Sequence, residues 1–405
     1  MKVEIFPSAA SGKIPAPPSK SMGHRLLISA GLSAGESVVH GIAPSEDMYA
    51  TMDCLTALGA KIEYDGTDAR VCGIDIDDIP DGAVLACREC GSTLRFFVPI
   101  ALLSGKRITL TGTEKLFSRP MSVYEKLCGD AGFEYKIEKA SLSVCGRLCG
   151  GEYSIPGNVS SQFISGLIFA LPLAKKGSRI KIIPPLESRP YVDMTLEAVR
   201  EFGIEAHFTD EYTIDISCGA YRAHECTVEG DWSNAAFFSA FNLIGGDVQL
   251  TGLRSDSLQG DKVYREIFEK LKHGGSVIDL SDCPDLGPVS MAMAAELGGA
   301  DFVGTARLRI KESDRCACVA KELAKFGCRC EIYEDSMKIL PSKLHTPSEV
   351  LSSHNDHRIA MSLSLLSSIY GGIIDGAEAV RKSLPDFFRR IEKLGVKVDY
   401  DGMVK

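Results

Sequence analysis

The sequence predicts an α/β protein built from six βαβαββ-type repeats grouped three to a domain, and two recurrent markers predict it. Six Ser-, Gly-, Asp- or Asn-rich turns run straight into helices of small apolar residues that stop at glycine. They are Ser19-Lys20-Ser21, Gly91-Ser92-Thr93, Ser160-Ser161-Gln162, Asp231-Trp232-Ser233, Asp285-Leu286-Gly287 and Asn355-Asp356-His357. A second series, Gly59, Gly132, Gly203, Gly275, Gly327 and Gly395, separates amphipathic helices from strands such as Lys61-Ile62-Glu63-Tyr64 and Lys397-Val398-Asp399-Tyr400. Both series advance by roughly 70 residues, with one shorter step of about 55 between the fourth and fifth units. Two independent markers with the same irregular spacing define a repeat.

Within a unit the order reads strand, apolar helix, strand, amphipathic helix, strand pair. Leu26-Leu27-Ile28 and Phe163-Ile164 with Leu167-Ile168 are apolar nearly all round, as in a helix buried inside a domain. Asp47 to Leu58 is amphipathic and is expected to pack outside. Asp65-Gly66 and Asp399-Tyr400-Asp401-Gly402 carry hairpin signals. Each apolar helix begins with unpaired N–H groups and a positive dipole end, so convergence of the helix starts would make the fold an anion trap.

Three repeats are assigned to residues 13–229. Three more belong to 230–405 together with 1–12, whose strand (Val3, Ile5) returns to close the second domain. The crossings are Ser11-Gly12-Lys13-Ile14-Pro15-Ala16-Pro17-Pro18, stiff and non-helical, and Thr227-Val228-Glu229-Gly230-Asp231. Paired crossings at a hinge would let two domains close on a ligand held in the cleft between them.

At 405 residues and 45% apolar composition the chain has the make-up of a globular protein. No apolar helix is long enough to span a bilayer and no leader is read at the start, so a cytoplasmic protein is expected. The net charge of −9 excludes a general nucleic-acid or anionic-membrane surface. Lys20, Arg25, Arg95, Arg119, Lys311, Arg315, Arg358 and Lys382 nevertheless all fall in Ser-, Gly- or Pro-flanked motifs. A basic interior under an acidic shell points to a small, highly charged anion. The fourteen cysteines, including the Cys87/Cys90 pair, lack zinc-finger spacing and read as reduced, small apolar residues, with no metal expected.

Pro18-Ser19-Lys20-Ser21-Met22-Gly23-His24-Arg25 is the sharpest local signal. Ser21 and Arg25 lie four apart on one helix face, with Lys20 in the cap turn. A point charge, a hydroxyl and a planar guanidinium together suit a phosphate or carboxylate. The alternative is a capped helix with solvated charges.

This segment resembles the first signature of the 5-enolpyruvylshikimate-3-phosphate synthase family, and the resemblance runs the length of the chain. Leu110-Thr111-Gly112 leading to Arg119-Pro120, Val159-Ser160-Ser161-Gln162-Phe163, Ser188-Arg189-Pro190-Tyr191 and Glu229-Gly230-Asp231 follow in family order. So do Asp282-Cys283-Pro284-Asp285, Arg309 to Arg315, Asn355 to Met361 and Lys382 to Phe387. The resemblance implies a two-domain inside-out α/β barrel of inward-facing helices. It also implies the reaction of phosphoenolpyruvate with shikimate 3-phosphate in the shikimate pathway, without cofactor or metal. It places phosphoenolpyruvate on Lys20, Gly91, Arg119, Gln162, Arg315, Arg358 and Lys382. It places shikimate 3-phosphate on Lys20, Ser21, Arg25, Ser160, Ser161, Gln162, Ser188, Asp285 and Lys311. Asp285 would accept the proton of the attacking hydroxyl. Glu312 would protonate the methylene carbon with a carboxyl of raised pKa, and Lys20 would neutralise charge nearby.

Read alone, Lys311 to Arg315 is also a charged helix face, Asp285 a helix cap, His357 a cap or core histidine, and Arg95 a brace for the Gly91 turn. Glu89 replaces a neutral residue common in the family, and Arg307 stands where another polar ligand is common. Gly91 keeps the open turn that in the family admits the inhibitor glyphosate, so the resemblance implies sensitivity. The rival readings are the sister transferase acting on UDP-N-acetylglucosamine and a non-catalytic anion-binding repeat protein. The stretch Thr113 to Arg119 lacks the cysteine of the sister family, and the net charge argues against the scaffold. A monomer acting on small molecules is expected.

Overall fold

A computed structural model of the chain describes residues 1–401, and it divides into two compact units. One unit is Pro18–Glu229; the other combines Met1–Pro17 with the chain from Gly230 onward. Asp399, Tyr400 and Asp401, expected in a hairpin turn, are instead strand residues paired with Glu4, Val3 and Lys2, and Gly402 lies outside the described residues.

Pro18–Glu229 holds three four-stranded sheets of one design. The second contains Val84–Ala86, Ile108–Thr111, Ser141–Cys145 and Glu134–Ile137 in that spatial order, the first pair parallel and the rest antiparallel. The third repeats this with Glu152–Pro156, Ser178–Ile183, Thr213–Ile216 and Ala206–Phe208. The first sheet borrows its opening strand from the far end of the unit, where Glu225–Thr227 pairs with Glu36–His40 ahead of Ala69–Cys72 and Lys61–Tyr64. In the second and third sheets the parallel pair is joined through a helix, Gly91–Ala101 and Ser161–Ala170, and in the first the helix Lys20–Gly31 leads into Glu36–His40. All three are buried over almost their whole length, which their apolar, small-residue composition permits. Gly91–Ala101 packs on Ser161–Ala170. Gly166 allows that approach, since a Cβ there would lie 2.7 Å from the Arg95 carbonyl oxygen.

The other unit repeats the design twice in full. One sheet is Ser276–Asp279, Ala300–Val303, Ser336–Ile339 and Cys330–Ile332. The other inserts the N-terminal strand Lys2–Phe6 between Gly372–Asp375 and Lys397–Asp401, with Val3 opposite Ile374 and Tyr400. The fourth repeat is abbreviated. Its strands Ser11–Pro15 and Asp247–Thr251 form a two-stranded sheet, and the chain passes from the helix Tyr264–Leu271 directly into the opening strand of the fifth repeat. The missing strand pair accounts for the short step in the sequence. Gly275 therefore precedes the first strand of the next unit, whereas a third strand of its own was expected.

Two boundary expectations are corrected. Ser11–Pro15 pairs with Asp247–Thr251, so the first division falls between Pro17 and Pro18 and not after Gly12. The buried helices do not generally stop at glycine: five of the six end on Leu32, Leu102, Leu171, Phe241 or Leu297, and one on Gly371. Two of them tighten into 3₁₀ turns, Leu171–Leu173 followed by Ala174 and Phe241–Ile244 followed by Gly245. Among the described residues no helix is long and apolar enough to cross a membrane, and all fourteen cysteines are free thiols.

Candidate active site

In Pro18–Glu229 the first helix opens with Ser19, whose hydroxyl accepts from the Met22 N–H. Lys20 follows as the first helical residue, and its Nζ donates to Asp47 Oδ2 at 2.8 Å. One turn later Arg25 is buried with its guanidinium near the rings of Phe96 and Tyr191. Its Nη1 donates to the Ser21 carbonyl at 2.7 Å, its Nε to Thr195 Oγ1 at 2.8 Å and its Nη2 to the Tyr191 carbonyl at 2.9 Å. Every one of these acceptors is neutral. Burial pushes the Arg25 guanidinium down to about 10, so it still carries its charge at neutral pH. A buried cation with neutral acceptors only is a place where an anion is favoured.

The third helix start joins the second. Ser160 caps the helix by accepting from the Gln162 N–H, and Ser161 is buried beside it. Gln162 Oε1 accepts from Arg95 Nη1 at 2.7 Å, and its Nε2 donates to Ser92 Oγ at 2.9 Å. Arg95 also donates to the Pro120 carbonyl at 3.0 Å and lies over the Phe163 ring. Arg95 thus braces the Gln162 amide and the Arg119-Pro120 loop more than the Gly91 turn. Arg119 itself sits over Gly91, where a Cβ would lie 2.5 Å from Nη1 and 2.9 Å from Cζ. The space above Gly91 is therefore occupied by a guanidinium. Ser188 is buried at positive φ (56°) just ahead of the helix Arg189–Glu201 that supplies Tyr191 and Thr195.

In the second unit a different electrostatic pattern appears. Asp285 lies in the 3₁₀ turn Pro284–Leu286, and the helix Gly287–Glu296 has Leu286 at its cap position, so Asp285 is not its cap residue. Its Oδ1 accepts from Arg315 Nη1 at 2.9 Å and lies 3.6 Å from Lys311 Nζ, while its Oδ2 accepts from Arg358 Nη2 at 2.8 Å. Arg315 is 1% exposed, and also donates from Nη2 to Glu312 Oε2 at 2.8 Å and from Nε to Asp356 Oδ2 at 2.9 Å. Burial works against the Arg315 charge, but the Asp356, Glu312 and Asp285 carboxylates outweigh it and raise the guanidinium above its ordinary value. Burial dominates at Lys311, bringing its ammonium down to about 8 against the pull of Asp285.

Asp356 also caps the helix His357–Tyr370 through the Arg358 N–H, and accepts from Ser313 Oγ. His357 is buried at the first helical position and is not the cap. Lys382 Nζ donates to the Asn355 carbonyl at 2.8 Å, and Asn355 and His354 both hold positive φ. The charged-helix-face reading of Lys311 to Arg315 fails as well. Lys311 ends the turn Ala306–Ile310, Asp314 caps the helix Arg315–Lys325, and Arg315 is buried. Arg307 is buried nearby and reaches the Ser281 carbonyl at 3.5 Å.

The structure therefore groups Ser21 and Arg25 around one buried cation, Gly91, Arg119 and Gln162 around a second cluster, and Asp285, Lys311, Glu312, Arg315 and Arg358 around a third. Asp47 and Thr195 were missed from the sequence, because each meets its cation through tertiary packing and carries no local motif.

Residues 6–391 match the profile of the family EPSP synthase (3-phosphoshikimate 1-carboxyvinyltransferase). A 3-phosphoshikimate 1-carboxyvinyltransferase of Clostridium novyi is 38% identical over 435 aligned positions, covering 100% of this chain and 99% of its own. One from Clostridioides difficile is 37% identical over 436 positions, with 100% and 99% covered. Among solved structures, an EPSP synthase from Acinetobacter baumannii superposes with a TM-score of 0.81 at 23% identity, covering 99% and 100% of the two chains. The enolpyruvyl transferase NikO from Streptomyces tendae gives 0.79 at 14% identity, with 98% of each covered. At these identities the structural likeness speaks for the fold.

Proposed function

The chain belongs to the EPSP synthase family, and from that premise we propose how its residues divide the reaction it catalyses. That reaction is transfer of the enolpyruvyl group of phosphoenolpyruvate to the 5-hydroxyl of shikimate 3-phosphate, with release of inorganic phosphate. It is a step of the shikimate pathway of aromatic amino-acid biosynthesis.

Shikimate 3-phosphate is assigned to the Pro18–Glu229 unit, on Ser21, Arg25, Ser160, Ser161, Gln162 and Ser188, with Lys20, Lys311 and Asp285 completing its set. The buried Arg25 guanidinium supports this, since only neutral oxygens satisfy it and a phosphate dianion would supply the missing charge. Phosphoenolpyruvate is assigned to Lys20, Gly91, Arg119, Gln162, Arg315, Arg358 and Lys382. The single observation carrying the acid–base assignment is that Asp285 and Glu312 share one guanidinium, Arg315. The carboxylate or phosphate of phosphoenolpyruvate competes for Arg315 and Arg358 and so releases both acids.

Asp285 then takes the proton of the 5-hydroxyl as its oxygen adds to C2. Glu312 gives a proton to C3, forming a tetrahedral intermediate. When the C2–O(phosphate) bond breaks, Glu312 recovers a C3 proton and the enol double bond is restored. Lys20, whose Nζ donates to Asp47, offsets negative charge on the phosphate that leaves. The acidic net charge and the small-molecule substrates support a monomer acting in the cytoplasm, with no nucleic-acid or membrane partner.

The test is phosphate release by purified protein given both substrates, with Glu312→Gln alongside. Release that requires both substrates and falls about 10²- to 10⁴-fold in the variant is expected. Release with UDP-N-acetylglucosamine in place of shikimate 3-phosphate, or an unaffected variant, would overturn the assignment.

A further inference from the structure

Beside Lys20 lies a group of metal-ligating side chains that the proposed reaction does not use. His24, Asp47 and Cys90 each present one ligand atom, and the three atoms lie within 4.8 Å of one another. His24 and Cys90 are 1% and 2% exposed, while Asp47 is 13% exposed and opens the cluster to one side. His24 Nε2 and Cys90 Sγ are 3.9 Å apart. Nitrogen and sulfur on one tetrahedral zinc, at about 2.0 and 2.3 Å from the metal, stand at a similar spacing.

A second observation aims the histidine. Its Nδ1 is 2.7 Å from Thr51 Oγ1, which is 2.9 Å from Thr93 Oγ1. With Nδ1–H donating into this hydroxyl relay, the Nε2 lone pair faces Cys90. Metal-bound histidines are oriented in this way by an acceptor on the other ring nitrogen.

We propose that His24, Cys90 and Asp47 form a binding site for one thiophilic divalent cation, zinc above all, and that its occupation takes Asp47 away from Lys20 and inhibits the enzyme. The chemistry balances without an oxidant. The Cys90 S–H bond breaks, an S–metal bond forms and the proton leaves to solvent. The ligated group, a dication with one thiolate and one carboxylate, is neutral overall. Lys20 loses the carboxylate that holds it at 2.8 Å. Cys87 takes no part, since its Sγ turns to the Leu85 carbonyl. The local C-x-x-C spacing was therefore no guide, because the ligands come from two helices and a helix cap far apart in sequence. The inhibition rests on the role given to Lys20, whereas the binding does not.

The experiment is a titration of the reduced, full-length protein with cobalt(II), read by its thiolate charge-transfer band and tetrahedral d–d bands. One equivalent is expected to bind, with zinc displacing it and about one proton released per metal. Cys90→Ala and His24→Asn should abolish the bands, whereas Cys72→Ser and Cys149→Ser, at exposed thiols, should keep them. Thr51→Val retains all three ligands and should weaken binding about 10- to 100-fold. Zinc should inhibit phosphate release over the concentration range in which it displaces cobalt, and a chelator should reverse it. Bands that persist in folded Cys90→Ala overturn the site. If that variant does not fold, persistence in His24→Asn or unchanged affinity in Thr51→Val does so. Stoichiometric binding without inhibition overturns the coupling to Lys20. A protein without turnover still gives the cobalt result, which separates this inference from the functional one.

Discussion

Arg25 and Arg95 of one unit and Arg315 and Arg358 of the other keep opposite kinds of partner. In Pro18–Glu229, Arg25 and Arg95 are buried against carbonyls, a hydroxyl and an amide oxygen. In the second unit, Arg315 is buried against three carboxylates and Arg358 against one. The first arrangement leaves positive charge for a ligand to neutralise, and suits a group that is bound and does not react. The second is already neutralised, so a ligand must displace acids, and displaced acids are what proton transfer needs. On the proposed assignment, binding and chemistry are separated by the kind of partner each of these guanidiniums keeps.

The comparison can be broken first by stability. Arg315→Ala strands Asp356 in the interior beside Glu312 and Asp285, and should cost about 3–5 kcal/mol in chemical denaturation. Arg25→Ala strands only neutral acceptors and should cost about 1–3 kcal/mol. Equal losses would erase the distinction. Next in size is Gly91→Ala, whose methyl meets the Arg119 guanidinium and must move it. We expect kcat/KM for phosphoenolpyruvate to fall about 10- to 100-fold with shikimate 3-phosphate binding unchanged, as measured by steady-state kinetics and titration.

A smaller effect is a pH dependence at Lys311, lowered to about 8 by burial. Its ammonium is the form that attracts an anion, so kcat/KM for shikimate 3-phosphate should be full below this pH and decline above it. Lys311→Arg should shift that limb to higher pH. The smallest effect is at His40, whose Nδ1 and Nε2 lie 2.7 Å from Asp68 and 3.0 Å from Glu225. Asp68 first, then Glu225, raises the imidazole above its ordinary 6.5. Its contribution is full below that value and lost as pH rises through the raised one. Melting curves should show His40→Gln slightly less stable than wild type at acid pH and equal to it at alkaline pH.

Local chemistry made most of the fold legible. Helix caps at Ser19, Ser160, Asp231 and Asp356 are one-residue signals, and the glycine series marks positive-φ turns at Gly59, Gly132, Gly203, Gly275, Gly327 and Gly395. The short step between Asp231 and Asp285 was visible, but its cause, a lost strand pair, needed the pairing of Ser11–Pro15 with Asp247–Thr251. Helix ends were misread because a 3₁₀ turn closes two of them where a left-handed glycine was expected. At the site, Lys20, Arg25, Arg315 and Arg358 were legible as charges in small-residue motifs. Their partners Asp47 and Thr195 were not, since nothing in local sequence says which carboxylate or hydroxyl packs against a given cation. The occupation of the Gly91 space by Arg119 was hidden for the same reason.

The division between binding and chemistry is tested most directly by calorimetric titration of shikimate 3-phosphate into Arg25→Gln and Glu312→Gln. Arg25→Gln should lose about 10- to 100-fold in affinity, the worth of charge-assisted hydrogen bonds. Glu312→Gln should bind like wild type while failing to release phosphate. Equal weakening in both variants, or normal binding by Arg25→Gln, would contradict the account.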